Sequence, residues 1–143
     1  MIAPRSVLVD TSVAVALVVA DHAAHRQVLE GLAGRRLGLS GHAAFETYSV
    51  LTRLPPPARR DPSTVSRLVA DNFPATVHLT PERAVGLLSG LPDLGIAGGA
   101  VYDALVGAAA AEHRLTLFTR DVRALDTYRA VGAEVAVIGG GPT

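Results

Sequence analysis

Four acidic side chains, far apart in the sequence, are the residues best suited to carry out chemistry. They are Asp10, Glu46, Asp103 and Asp121, and the chain has no cysteine that could add a sulfur ligand or a thiol nucleophile. Carboxylates crowded into one crevice repel one another, which destabilises a fold unless a divalent cation neutralises them. Oxygen ligands without histidine or cysteine favour Mg²⁺ or Mn²⁺ over zinc. The set therefore predicts a hard-metal site that could activate a water molecule or a phosphoryl group.

Asp103 is the hardest of these acids to explain as a purely structural residue. It is the only charged residue in the stretch 98–111, which otherwise consists of Ala, Val, Leu, Gly and Tyr. Its neighbours one helical turn away have no side chain that could donate a hydrogen bond to it. A buried ionised carboxylate costs several kcal/mol unless a cation or donors meet it. We expect Asp103 to be largely buried, and we favour a metal ion over a buried arginine as its partner.

The other three acids each have a simpler structural interpretation when taken alone. Asp10, in the motif Asp10-Thr11-Ser12, precedes a predicted helix and could cap it, and Asp121 could do the same. Glu46 lies early in a predicted helix, where a negative charge interacts favourably with the helix dipole. The argument for a functional site therefore depends on the four acids as a set.

Alternating strands and helices position these acids. Apolar or β-branched runs predict strands at 6–9, 37–39, 116–118 and 135–138. Helices are predicted at 12–34 in one or two pieces, 43–54, 63–73, 81–91, 99–113 and 122–131. This order predicts an α/β fold with a mainly parallel twisted sheet and helices on both faces. The carboxyl ends of parallel strands share one edge, so Asp10 and Asp121 should converge there.

Composition indicates one globular domain over residues 1–143, with the last few residues frayed at the terminal glycines. Hydrophobic residues make up 49% of the chain and charged residues 18%, and the net charge is zero. All thirteen basic residues are arginine, which excludes receiver domains, dehalogenase-like phosphatases and P-loop proteins that need a lysine near phosphate. No apolar run approaches the length of a membrane span, so we expect a cytoplasmic protein without a membrane partner.

The four acids in their local sequences resemble the PIN-domain ribonucleases, and the chain length resembles the VapC-type toxins of type II toxin–antitoxin systems. The motifs that carry the resemblance are Asp10-Thr11-Ser12 after a strand, Glu46 early in a helix, Tyr102-Asp103-Ala104 in an Ala-rich helix, and Phe118-Thr119-Arg120-Asp121. The resemblance implies a three-layer α/β/α fold. It also implies a cognate antitoxin, a homodimer, and Mg²⁺ (or Mn²⁺) as the cofactor.

Site residues follow from the same resemblance. It assigns metal binding and catalysis to Asp10, Glu46, Asp103 and Asp121, and supporting hydroxyl groups to Thr11 and Thr119. Leu125 stands where family members often have an aromatic residue. Asp126 is a further acid nearby, which we interpret as a solvated helix residue.

These features together predict a metal-dependent endoribonuclease that hydrolyses structured RNA. Attack by water would leave 5′-phosphate and 3′-hydroxyl ends. Arginines around a triple-proline loop and beside Asp121 could hold RNA phosphates, and aromatic residues are too few for an extended stacking platform. We expect recognition by RNA shape. The candidate RNA-binding residues are Arg53, Arg59, Arg60 and Arg120, with Arg67 near the same loop.

Two alternatives stay open at this point. The chain could be a catalytically inactive PIN-like module that binds RNA or a protein. It could also be a metal-free ribonuclease that uses His22 and His25 as base and acid. The second is weaker, because two histidines on one helical turn cannot easily flank a scissile phosphate.

Overall fold

The sheet is built from four short parallel strands. In the computed structural model, which describes residues 5–139, the strands lie in the order β2-β1-β3-β4. In register, Val9 of β1 pairs with Leu39 of β2 and with Phe118 of β3. The predicted α/β class with a parallel sheet is confirmed. The strands are β1 (Ser6–Val9), β2 (Arg36–Leu39), β3 (Leu117–Thr119) and β4 (Val135–Val137).

Seven α-helices and one 3₁₀ turn connect the strands within residues 5–139. The predicted helix at 12–34 is two helices, and the one at 122–131 opens with the 3₁₀ turn Val122–Ala124. The terminal glycines beyond residue 139, expected to be frayed, lie outside the described residues. The helices are α1 (Thr11–Val18), α2 (His25–Gly31), α3 (Ala43–Thr52), α4 (Pro62–Asn72), α5 (Pro81–Gly90), α6 (Ala100–His113) and α7 (Leu125–Ala130).

Helices cover both faces of the sheet. Val7, Leu8 and Val9 are consecutive in β1 and all are buried. Successive strand side chains point to opposite faces, so apolar cover must lie on each side, as in parallel sheets generally. Leu39 and Leu117 continue this core on the neighbouring strands. None of the helices in the described chain is long and apolar enough to cross a bilayer.

The strand order changes direction between β1 and β3. From β1 the chain first adds β2 on one side, and after four further helices it adds β3 on the other side of β1. In open α/β sheets, ligands bind beyond the carboxyl ends of strands at such a switch point. Asp10 follows β1 directly, and Thr119 is the last residue of β3. The fold therefore brings the ends of these two strands to the position where a site is expected.

Candidate active site

All four predicted acids line one small pocket at this edge of the sheet. The cavity has a volume of about 70 Å³. Its acids come from the end of β1, from α3, from α6 and from the turn after β3. The structure thus brings together residues separated by more than a hundred positions. The lining residues are Asp10, Thr11, Ser12, Glu46, Asp103, Val106, Asp121 and Tyr128.

The Asp10 carboxylate is buried and accepts four hydrogen bonds. Its side chain caps α1 by accepting from the Val13 amide at 3.2 Å, and the Ser12 hydroxyl donates to the same oxygen, Oδ1, at 2.6 Å. Thr119 Oγ1 (2.5 Å) and Tyr128 Oη (2.8 Å) donate to Oδ2. The capping role considered for Asp10 is therefore real, and it coexists with a place in the pocket.

The two threonines predicted to support the site contact its acids. The Thr119 hydroxyl donates to Asp10 and accepts from the Asp121 amide at 3.0 Å, so it joins the two strand ends. The Thr11 hydroxyl donates to Glu46 Oε2 at 3.3 Å. Both hydroxyl groups therefore fix the position of a carboxylate or of its backbone.

Asp103 lies at the first turn of α6, where it is only partly buried rather than largely buried as expected. The first turn opens into the pocket, whereas the following turns enter the core. Burial is the main cause that raises the pKa of Asp103, followed by the charges of Asp121, Glu46 and Asp10. Arg123 opposes these effects only in part. No ion pair to Asp103 occurs among residues 5–139, so the alternative of a buried arginine partner is not supported.

Asp121 forms an exposed ion pair with Arg123. Its Oδ1 lies 3.3 Å from Arg123 Nε and also accepts from the Arg123 amide at 3.0 Å, which caps the 3₁₀ turn. The Arg123 side chain is 90% exposed, and a pair of this kind contributes little to stability. Arg123 was not among the predicted site residues, although its position two residues after Asp121 was the available signal.

Tyr128 is a second site residue that the sequence did not reveal. It is 2% exposed, and its hydroxyl reaches Asp10 from α7. Burial, together with the charge of Asp10, raises the pKa of Tyr128 far above its usual value, so the hydroxyl keeps its proton and donates. The ring packs where α6 has Gly107, whose missing side chain leaves the space. A tyrosine in a short helix has no sequence pattern that distinguishes this role from core packing.

A family model described as PIN domain matches residues 7–130, from β1 to the end of α7. The chain belongs to the PIN-domain family. The sequence-based resemblance is thereby confirmed, and so is its VapC-type form, through two relatives in Mycobacterium tuberculosis. Ribonuclease VapC27 is 50% identical over 129 residues, with 90% of this chain and 94% of the relative covered. Ribonuclease VapC40 is 42% identical over 140 residues, with 96% and 99% covered.

Solved structures agree with the fold of this PIN domain. The crystal structure of VapBC2 from Rickettsia felis bound to a DNA fragment from their promoter is similar with a TM-score of 0.65. The match covers 92% of this chain and 98% of that chain, at 14% sequence identity. At that level of identity the likeness supports the three-layer architecture and nothing finer.

The PIN domain's acids suit a hard divalent ion chemically, but their arrangement needs adjustment to hold one. Among residues 5–139, no three acidic or histidine side chains are placed to bind an ion as they stand. Asp10 has both oxygens occupied by protein donors, whereas Glu46 and Asp121 are partly exposed and loosely paired. The neighbouring carboxylates repel Asp103 and help to raise its pKa, and a bound cation would reduce this repulsion. Carboxylate oxygens are nonetheless the ligand type that Mg²⁺ and Mn²⁺ prefer.

The predicted RNA-binding arginines lie outside the pocket of the PIN domain. Arg59 donates to the Leu54 carbonyl at 2.9 Å, Arg60 to the Val18 carbonyl at 3.2 Å and Arg120 to the Gly139 carbonyl at 3.0 Å. Arg53, like Arg67, is exposed. A contact to RNA by any of them stays a prediction.

Two further predictions concern residues outside the pocket. His22 accepts from the Ala24 amide and His25 donates to the Ala16 carbonyl, at 3.0 and 2.8 Å. These contacts stabilise the turn between α1 and α2 and give no support to a histidine-based ribonuclease. Asp126 is exposed and does not line the pocket, which agrees with its interpretation as a solvated residue.

Proposed function

We propose that this PIN domain is a metal-dependent endoribonuclease and the toxin of a toxin–antitoxin pair, and that it hydrolyses phosphodiester bonds of structured RNA. The observation that carries the proposal is the convergence of four carboxylates from four parts of the chain on one pocket. The ribonuclease names of the two relatives support the same activity.

All four acids share a proposed role in metal binding, and Glu46 and Asp10 each have a further one. Asp10, Glu46, Asp103 and Asp121 would hold Mg²⁺ or Mn²⁺, which when bound supplies an activated water and positive charge for phosphoryl oxygens. Glu46 is the acid best placed to accept a proton from water, because its side chain is accessible and is oriented by Thr11 and His42. Asp10 is held rigidly by its four donors, so it provides the fixed point of the site.

The surface of α3 supports a protein partner, which we propose is the antitoxin. Phe45 and Tyr48 are exposed on this helix and line an apolar cavity of about 490 Å³ between α3 and α4. On α5, Val85 and Leu88 are also exposed, and we propose that they contribute to a homodimer. Contiguous exposed apolar surface of this kind marks protein-interaction sites.

Cleavage of total RNA, with mapping of the new ends, tests the enzymatic proposal. We expect cleavage by purified protein in Mg²⁺ or Mn²⁺, none in EDTA, and 5′-phosphate with 3′-hydroxyl ends. Asp121→Asn should lower the rate by at least about a hundredfold, because it removes a charge from the pocket. Asp126→Asn is the matched control and should cleave like the unmodified protein, since Asp126 is exposed outside the pocket. Cleavage in EDTA, or cyclic phosphate ends, would contradict the proposal.

A catalytically inactive binding module is the second candidate. It is favoured by the saturation of Asp10 with protein donors and by the lack of a ready-made ligand set within residues 5–139. The two candidates separate in one experiment. An inactive module would bind RNA or its antitoxin yet leave RNA intact at every Mg²⁺ and Mn²⁺ concentration.

A further inference from the structure

An aromatic pair, a half-buried histidine and an exposed tyrosine, lies beside the acidic pocket. The rings of His42 and Tyr102 stack with centroids 5.0 Å apart and planes inclined by 26°. His42 immediately precedes α3, and Tyr102 lies in the first turn of α6. Tyr102 is 52% exposed. A large aromatic side chain in this position contributes little to the core, so its placement needs another explanation.

The pair belongs to the same two elements that carry two of the acids. His42 Nε2 lies 3.3 Å from Glu46 Oε1, and Tyr102 directly precedes Asp103. Both acids line the pocket. A ligand whose reacting bond sits at the acids would therefore bring its adjacent group onto the aromatic rings.

The remaining aromatic side chains of the described chain are used differently. Phe73 and Tyr128 are buried, and Phe118 is covered by the Arg35 guanidinium at 5.0 Å. Phe45 and Tyr48 line the separate cavity between α3 and α4. Within residues 5–139, Tyr102 is thus the tyrosine or phenylalanine that presents an accessible ring next to the acids.

We propose that His42 and Tyr102 form a nucleobase subsite, where an unpaired base adjacent to the cleaved bond stacks on the exposed ring of Tyr102. This inference rests on the proposed ribonuclease function and refines its substrate to bonds beside an unstacked base. A base fits this surface better than a phosphate, because the nearest charges are the carboxylates of Glu46 and Asp103, which repel phosphate. Every base has a π-face, so the subsite selects unpaired nucleotides over paired ones and discriminates little among sequences.

This subsite has a consequence for RNA shape. In a folded RNA, bases that can leave the helical stack occur in loops, bulges and ends. Cleavage should therefore fall within such elements and not inside the stems. The subsite binds one base, which is consistent with the shortage of aromatic residues elsewhere on the chain.

Kinetics with Tyr102 variants test the subsite. The probe is a hairpin RNA taken from the mapped cleavage sites, together with copies in which each loop nucleotide in turn is abasic. Tyr102→Leu should raise KM by about 5- to 150-fold, the range of base–aromatic stacking, with kcat little changed. Tyr102→Phe should stay within about twofold of the unmodified protein, because it keeps the ring. For the unmodified protein, one abasic position should raise KM similarly, and Tyr102→Leu should no longer respond to it.

Leu29→Ala is the control, because Leu29 is also a large exposed apolar residue but lines neither the acidic pocket nor the cavity between α3 and α4. Equal KM values for Tyr102→Leu and the unmodified protein on all these RNAs would overturn the subsite. So would a result in which Tyr102→Leu weakens only antitoxin binding, since the pair would then belong to a protein interface.

A binding measurement separates failure of this inference from failure of the proposed function. If the unmodified protein cleaves no RNA, the proposed activity is wrong, and the subsite is then judged with metal-free protein. The probe is a hairpin RNA with 2-aminopurine in its loop, whose fluorescence is quenched when the base stacks. Quenching by the unmodified protein and by Tyr102→Phe, but not by Tyr102→Leu, would support the subsite. Equal quenching by all three proteins would refute it.

Discussion

Replacing Tyr128 by phenylalanine removes one hydroxyl and leaves the ring in place. That hydroxyl is the donor to Asp10 Oδ2 at 2.8 Å, and both residues are almost fully buried, with 2% and 4% of their surfaces exposed. Hydrogen bonds to charged groups contribute about 1.5–3 kcal/mol. Water has little access to replace the lost donor. We therefore expect the free energy of unfolding to fall by about 2 kcal/mol.

Thermal and urea denaturation of the metal-free protein measure this loss. A chain of this size loses about 2–4 °C in Tm for each kcal/mol. Tyr48→Phe is the control: Tyr48 is 40% exposed, so its variant should change stability by less than about 0.5 kcal/mol.

A double-mutant cycle with Asp10→Asn isolates the interaction with Asp10 from other effects of the hydroxyl. The Tyr128→Phe loss should shrink once the carboxylate charge is gone, because the hydrogen bond then joins two neutral groups. An undiminished loss in the Asp10→Asn background, or no loss in the original protein, would refute the assignment of Tyr128 as a donor to an ionised Asp10.

Three further predictions use other parts of the structure. Arg123→Gln removes the cation paired with an acid of the pocket, so Mn²⁺ affinity measured by calorimetry should rise, by up to about fivefold for an exposed pair; lower affinity would contradict this. Burial and the neighbouring acids raise the pKa of Asp103 above its usual value, so the folded protein binds this proton more tightly than the unfolded chain does. The free energy of unfolding of the metal-free protein should therefore fall as the pH rises through the raised pKa. Tm should therefore improve more on acidification in the unmodified protein than in Asp103→Asn; parallel pH profiles would count against the repulsion. A Cβ added at Gly86 would meet nothing within 4 Å, so Gly86→Ala should stabilise α5 by about 0.5–1 kcal/mol. A Cβ added at Gly107 would lie 2.7 Å from Val131, so Gly107→Ala should destabilise the protein by about 1–3 kcal/mol. Equal effects of the two variants in urea denaturation would refute the packing argument.

The sheet and the identity of the acids could be predicted because both leave local signals. Apolar runs that end at Asp10 and Ser40 gave the first two strands, and Asp103 stood out against an alanine-rich helix. The third strand was predicted at 116–118 and lies at Leu117–Thr119. A threonine flanks the apolar pair Leu117-Phe118 on each side, so the local sequence does not show which threonine belongs to the strand. The residue that ends the strand is the one whose hydroxyl joins Asp10 to the Asp121 backbone.

The break between α1 and α2 could not be located from the sequence. No glycine or proline interrupts residues 19–24. The last carbonyls of α1 instead receive side-chain donors, His25 on Ala16 and Arg60 on Val18. Such donors depend on tertiary contacts, as does the Tyr128 hydroxyl on Asp10. For the same physical reason, the aromatic stack of His42 and Tyr102 forms only when distant elements are brought together.

The four donors to Asp10 have a practical consequence for anyone preparing an inactive form of this protein. They come from the start of α1, the end of β3 and α7, so a single side chain ties three segments together. An amide at this position would keep the volume but turn one acceptor oxygen into an NH₂ group facing existing donors. Samples intended for trapping RNA or an antitoxin are therefore better made with Asp121→Asn, which leaves that junction intact.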